Sequence, residues 1–198
     1  DRAGTEVLCR VSGLPMPMPD VAWWHLLLLE VSGDEINLPD DADALLAADS
    51  ADAARLWTYR ERQSEAAALL VDADDPTRVI QKLDISVPAA AMQRFGDELV
   101  ELLAGQPVVT GHSVFGHIAD GNLHVEIAGP TVNDDSVTTL VLHLVAAHGG
   151  SISAEHGIGQ AKAAFLELSR SPAEIATMRA IKSALDPDGL MAPGVIFG

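Results

Sequence analysis

Three histidines and two glutamates fall within two short segments of this chain, FGHIADGNLHVE (Phe115 to Glu126) and SISAEHGIG (Ser151 to Gly159). Imidazole nitrogens and carboxylate oxygens together form a common ligand set for zinc and similar divalent ions. Asp120-Gly121 lies between two runs of alternating apolar residues, a strong hairpin signal. With Asp120 and Gly121 as the two turn residues, Ala119 pairs with Asn122, Ile118 with Leu123 and His117 with His124. Residues directly opposed on an antiparallel pair have Cβ atoms about 4.5–5.5 Å apart, close enough to share one ion. Side chains alternate between faces along a strand. Phe115 and Glu126 therefore join the two histidines, while Ile118 and Leu123 turn towards a core. Glu155 or His156 would supply a third ligand.

The elements that must hold these residues are legible as a pattern of strands and helices. Pro15 to Asp20 is a proline-broken loop, and the apolar run Trp23 to Val31 predicts a buried strand. Pro39 to Ala54 predicts a helix with a break near Asp49-Ser50, and Ala53 to Leu70 a second helix. Asp72 to Thr77 is a turn-rich loop; Arg78 to Val87 reads as a strand. Pro88 opens a helix running to about Ala104, with proline in its first turn. Pro107 to Ile118 and Asn122 to Ala128 are the two arms of the hairpin. A helix from Ser136 to His148 ends at Gly149-Gly150, and Ala161 to Leu168 and Pro172 to Leu185 are the last helices. Strands joined by a tight turn must pair antiparallel, so the fold class is α+β.

Composition narrows the function classes. At 198 residues with 48% apolar content, the whole chain, residues 1–198, reads as a single packed domain. A formal net charge of −17 and a sequence pI near 4.5 argue against binding nucleic acid or an anionic membrane surface. No apolar run reaches the roughly 18 residues a membrane span needs. Cys9 is the single cysteine, which excludes an internal disulfide and fits a reducing compartment. A cytoplasmic protein is expected, with any membrane attachment peripheral. The opening Asp1-Arg2-Ala3-Gly4 has neither an initiator methionine nor a signal-peptide profile, so a piece of a longer protein is expected.

Five segments in order carry a family resemblance: Leu56-Trp57-Thr58-Tyr59-Arg60-Glu61, Lys82-Leu83-Asp84-Ile85-Ser86-Val87-Pro88, GHIADGNLH, SAEHGIG, and Asp186-Pro187-Asp188-Gly189-Leu190 with Ala192-Pro193-Gly194. The chain is similar to the C-terminal, substrate-binding or cap domain of FAD-linked oxidases. These are the D-2-hydroxy acid dehydrogenases acting on D-lactate, glycolate and D-2-hydroxyglutarate. The resemblance implies a ferredoxin-like antiparallel sheet with helices packed on one face. It implies an FAD-binding domain preceding Asp1, FAD as cofactor, a 2-hydroxy acid as substrate, and a divalent metal that is zinc, manganese or iron. It carries metal ligation to His117, His124 and Glu155, and the general base to His156. Contacts to substrate carboxylates pass to Arg60, Ser64 and Lys82. Cofactor-binding residues and the electron acceptor stay unassigned.

That division is chemically coherent. A metal on the hydroxyl and carboxylate of a 2-hydroxy acid lowers the hydroxyl pKa, and a neutral imidazole can take the proton. Arg60 offers a planar fork suited to a carboxylate, with Ser64 four residues on. The chain also departs from the family. Glu126 stands where the 2-hydroxyglutarate enzymes carry Asn, where a carboxylate would repel a second substrate carboxylate or bind the metal. Ala119 replaces a glycine, and Ala192 and Val195 replace the Asn and Lys of the closing segment. Two other classes stay open: a hydrolase whose metal activates water, and a non-catalytic metal-binding module. Gly157 and Gly159 lack the third glycine and preceding strand of a dinucleotide loop. Apolar surface uncovered by the absent domain could drive a homodimer.

Overall fold

The computed structural model of the chain describes residues 1–32, 37–70 and 75–197. Of the expected 72–77 loop, residues 72–74 lie outside the described residues. Three strands form one antiparallel sheet: β1 (Arg78–Ser86), β2 (Gly111–His117) and β3 (Asn122–Thr131), in the order β1-β3-β2. The helices are α1 (Arg2–Ser12), α2 (Ser50–Glu61), α3 (Gln63–Ala67), α4 (Met92–Ala104), α5 (Ser136–Ala147) and α6 (Pro172–Leu185). After α5 the chain returns to the outer edge of β1, where Ser86 and Ser151 exchange N–H···O bonds of 3.0 and 2.8 Å. The sequence β1-α4-β2-β3-α5-bridge is the βαββαβ order of a ferredoxin-like fold, with its last strand reduced to one residue pair.

One face of the sheet builds the core. Leu83, Ile85, Val114, Val125 and Ile127 pack on Phe95, Leu99 and Leu103 of α4 and on Val137, Val141, Leu142 and Val145 of α5. The apolar positions of each helix recur every three to four residues, a single stripe facing the sheet. The other face is polar, and α1 and α3 cover its β2 edge besides the expected helical layer. There the approach is close. A Cβ on Gly4 would lie 2.2 Å from Ser113 Oγ, and Ser113 donates to Gln63 Oε1 at 3.3 Å.

Several expectations are corrected. Trp23 to Val31 is not a strand: Arg2 N–H donates to Trp24 O at 2.8 Å, but the run joins no sheet, and Leu27 and Leu29 are each 60% exposed. Apolar residues on both of its faces promise burial, yet an unpaired strand has no stability of its own. Pro39 to Ala54 is not one helix either. Its first part is irregular, with Leu45 and Leu46 exposed, and Asp49 is the N-cap of α2, accepting Asp52 N–H at 2.8 Å. The alanine- and leucine-rich stretch favours a helix locally, but short helices without a packing partner are marginal in water. The second stretch, Ala53 to Leu70, breaks at Arg62 into α2, α3 and a 3-10 turn. Ala163–Leu168 is likewise 3-10. Helix α1 was not anticipated.

The hairpin register differs as well. His117 pairs with Asn122, Gly116 with Leu123 and Phe115 with His124. The connection is therefore the four residues Ile118 to Gly121. Asp120 Oδ1 accepts the Asn122 N–H at 3.0 Å, the side-chain-to-backbone turn that competes with a two-residue hairpin. Gly121 takes φ +75°, and its carbonyl accepts Val87 N–H at 3.0 Å. Because the offset is two residues, each side chain keeps its face.

Candidate functional site

The polar face of the sheet carries, in register, Lys82, Asp84 and Ser86 of β1, Glu126, His124 and Asn122 of β3, and Ser113, Phe115 and His117 of β2. Each of these lies one residue from a core position, so strand alternation alone places them together. Four of the polar side chains, Asp84, Ser113, Asn122 and Glu126, are buried. Burying so many acceptors on one face is unfavourable unless something satisfies them.

Asp84 organises the loop that closes over this face. Its Oδ2 accepts backbone N–H groups from Ala154 at 3.1 Å, Glu155 at 2.7 Å and His156 at 2.9 Å. Burial pushes its carboxyl upward, but the N–H groups of His156, Glu155 and Ala154 outweigh burial and hold it below its ordinary value. Lys162 Nζ donates to the Asp84 carbonyl at 2.8 Å; burial lowers the lysine, with Asp84 opposing the shift. The loop thereby presents Glu155 and His156 over the sheet. Asn122 Nδ2 donates to Glu155 Oε1. The rings of His124 and His156 lie 6.1 Å apart, and Phe115 lies 5.1 Å from His124.

Asp84, His124 and Glu155 offer ligand atoms within 4.8 Å of one another. One imidazole and two carboxylates suit a divalent cation. Asp84 Oδ1, buried and without a donor, lies 3.9 Å from His124 Nδ1. The residues therefore fit such an ion.

The sequence candidates gather unevenly. His124, Glu155 and His156 come together as described. Arg60 reaches the site from α2, its guanidinium carbon 5.2 Å from the Phe115 ring centre. Lys82 lies beside Glu126, with Nζ 2.9 Å from Oε1. His117 is exposed at the hairpin end and lies outside the three-group cluster, but it opposes Asn122, which bonds Glu155. Ser64 is exposed on α3. Sequence reasoning missed Asp84, although an acidic residue between Leu83 and Ile85 on an alternating strand must face away from the core.

The profile of the FAD-linked oxidases, C-terminal domain, matches residues 32–196, and the chain belongs to that family. Similar proteins include a D-2-hydroxyglutarate dehydrogenase of Stutzerimonas stutzeri, 40% identical over 72% of this chain and 31% of its own length. A mitochondrial D-2-hydroxyglutarate dehydrogenase of Arabidopsis thaliana is 29% identical over 94% of this chain and 35% of its own length. The D-2-hydroxyglutarate–pyruvate transhydrogenase of Saccharomyces cerevisiae is 35% identical over 98% of this chain and 42% of its own length. The chain thus spans about a third of these relatives. Among the described residues no helix is long and apolar enough to cross a membrane.

Proposed function

We propose that this chain is the substrate- and metal-binding domain of an FAD-dependent D-2-hydroxy acid dehydrogenase, working against an FAD-binding domain that lies beyond residues 1–198. The observation that carries the reading is the convergence of His124, Glu155 and His156 on a buried polar sheet face, with Arg60 at its rim. His117, His124 and Glu155 would hold a divalent cation (zinc, manganese or iron), with Asp84 beside His124 and Glu155 in the same cluster. When bound, that cation supplies Lewis acidity to the hydroxyl and carboxylate of the substrate. FAD, when bound, supplies the acceptor for the hydride that leaves the α-carbon.

The chain's own residues do the rest. His156 is exposed and set on the Asp84-anchored loop, positioned to take the hydroxyl proton. Arg60, with Ser64 and Lys82, reads a substrate carboxylate. Gly157 and Gly159 take positive φ with open space where a side chain would stand, leaving bare backbone beside His156 for a flat ring system to approach. The protein would work in the cytoplasm, with any membrane attachment peripheral. Exposed Trp24, Leu27 and Leu29 suit coverage by the FAD-binding domain. A homodimer would use the same surface, and sedimentation of the purified protein separates the two.

The test has two arms. Elemental analysis of the purified chain should find about one divalent metal, lost in the His117→Ala, His124→Ala double variant. The protein carrying this chain, loaded with FAD, should bleach its flavin when a D-2-hydroxy acid is added without oxygen. Metal retained by the double variant would sink the ligand assignment. Hydrolytic activity of the chain without flavin would sink the dehydrogenase reading.

A further inference from the structure

We infer that Glu126 sets the substrate class: this site takes a 2-hydroxy monocarboxylic acid with a neutral or hydrogen-bond-donating side chain, and rejects a second carboxylate. The inference rests on the dehydrogenase reading above and narrows it.

Glu126 lies on the central strand two residues from His124, on the same face, and is 3% exposed. Its Oε1 is 2.9 Å from Lys82 Nζ, while Oε2 is buried and has no donor. A buried carboxylate oxygen without a partner is unfavourable, and what relieves it is a donor, never a second anion. The cations at the site are already divided. Lys82 is shared between Glu126 and the substrate carboxylate that it reads with Arg60, and Lys162 is held by the Asp84 carbonyl. Arg60 makes no ion pair among the described residues, so it and the divalent cation are left for the carboxylate beside the reacting hydroxyl, and among the described residues no unpaired cation lies beside Glu126 to meet a second charge. A dicarboxylate would set its second charge against Glu126, whose side chain is only 4% exposed, where like charges repel more strongly than in water. A hydroxyl, amine or short apolar side chain meets no such penalty. The relatives described above are D-2-hydroxyglutarate enzymes, so this chain should part from them in substrate.

The experiment compares kcat/KM of the FAD-loaded protein carrying this chain for D-lactate, D-2-hydroxybutyrate, D-malate and D-2-hydroxyglutarate, with an artificial electron acceptor. The monocarboxylates should lead by at least about tenfold. Glu126→Gln should shift the ratio about tenfold towards the dicarboxylates, chiefly through KM. Lys82→Met, at an exposed side chain, strips Glu126 of its counter-ion and should widen the preference several-fold. Opposite shifts in the two variants cannot arise from misfolding. A wild-type preference for 2-hydroxyglutarate, or a ratio unmoved by Glu126→Gln, would overturn the inference and leave the dehydrogenase reading standing. Turnover of none of these acids would overturn that reading, and this one with it.

Discussion

Asp84 serves two neighbours with two oxygens. Oδ2 gathers the N–H groups of Ala154, Glu155 and His156, while Oδ1 faces His124. Hydrogen bonds to a charged acceptor contribute about 1.5–3 kcal/mol each and do not sum fully. Asp84→Asn should therefore cost about 2–4 kcal/mol, read as a lowered urea midpoint at unchanged slope. The folded chain holds the Asp84 carboxyl below its ordinary value. Its stabilising contribution is thus complete above the ordinary carboxylate range and fades as pH falls through the lower folded value. Between neutral pH and about pH 3, the stability gap between wild type and Asp84→Asn should shrink; a gap constant with pH would show that the charge is not what holds the loop. Of this site, the gathering of His124, Glu155 and His156 was legible because histidines and carboxylates crowd two short segments. Asp84 was hidden because its role depends on which strand lies beside which.

The hairpin shows what the sequence leaves open at the scale of elements. Asp120-Gly121 correctly marks the turn, but the dipeptide does not say whether two or four residues make the loop. The Asp120 side chain decides it by capping Asn122 N–H. Alternation survived the error because faces repeat every two residues. Gly121→Ala meets both a positive φ and a Cβ 2.1 Å from Val87 O, and should cost about 1–3 kcal/mol. Pro88 at the start and Gly149-Gly150 at the end made α4 and α5 readable without a structure, and Phe95, Leu99, Leu103, Val137, Val141 and Val145 then supply the stripes that pack on the sheet. Leu99→Ala, fully within that layer, should lose about 2–5 kcal/mol in a denaturant titration. Residues 23–31 and 39–48 were misread for the converse reason. Local pattern favours regular structure there, but neither stretch pairs with a strand among the described residues, and Leu27, Leu29, Leu45 and Leu46 stay exposed.

At the scale of the whole molecule, the sheet has a dry face that folds it and a polar face that loads it. The polar face should therefore act as a brake on stability until filled. Anything that binds the native state alone adds about 2.7 kcal/mol at a hundredfold excess over its Kd. For a chain of this size 1 kcal/mol moves Tm by about 2–4 °C. Zinc or manganese should then raise Tm by roughly 5–10 °C, EDTA should reverse the rise, and His124→Ala should abolish it. The net charge of −17 supplies a competing route, since any divalent cation relieves self-repulsion across an acidic surface. Magnesium separates the two. It screens surface carboxylates as well as zinc does but favours oxygen ligands over imidazole. A rise with zinc or manganese but not with magnesium, lost in the variant, places the ion at His124. An equal rise with magnesium, kept in the variant, places it on the acidic surface and leaves the polar face to be satisfied by substrate.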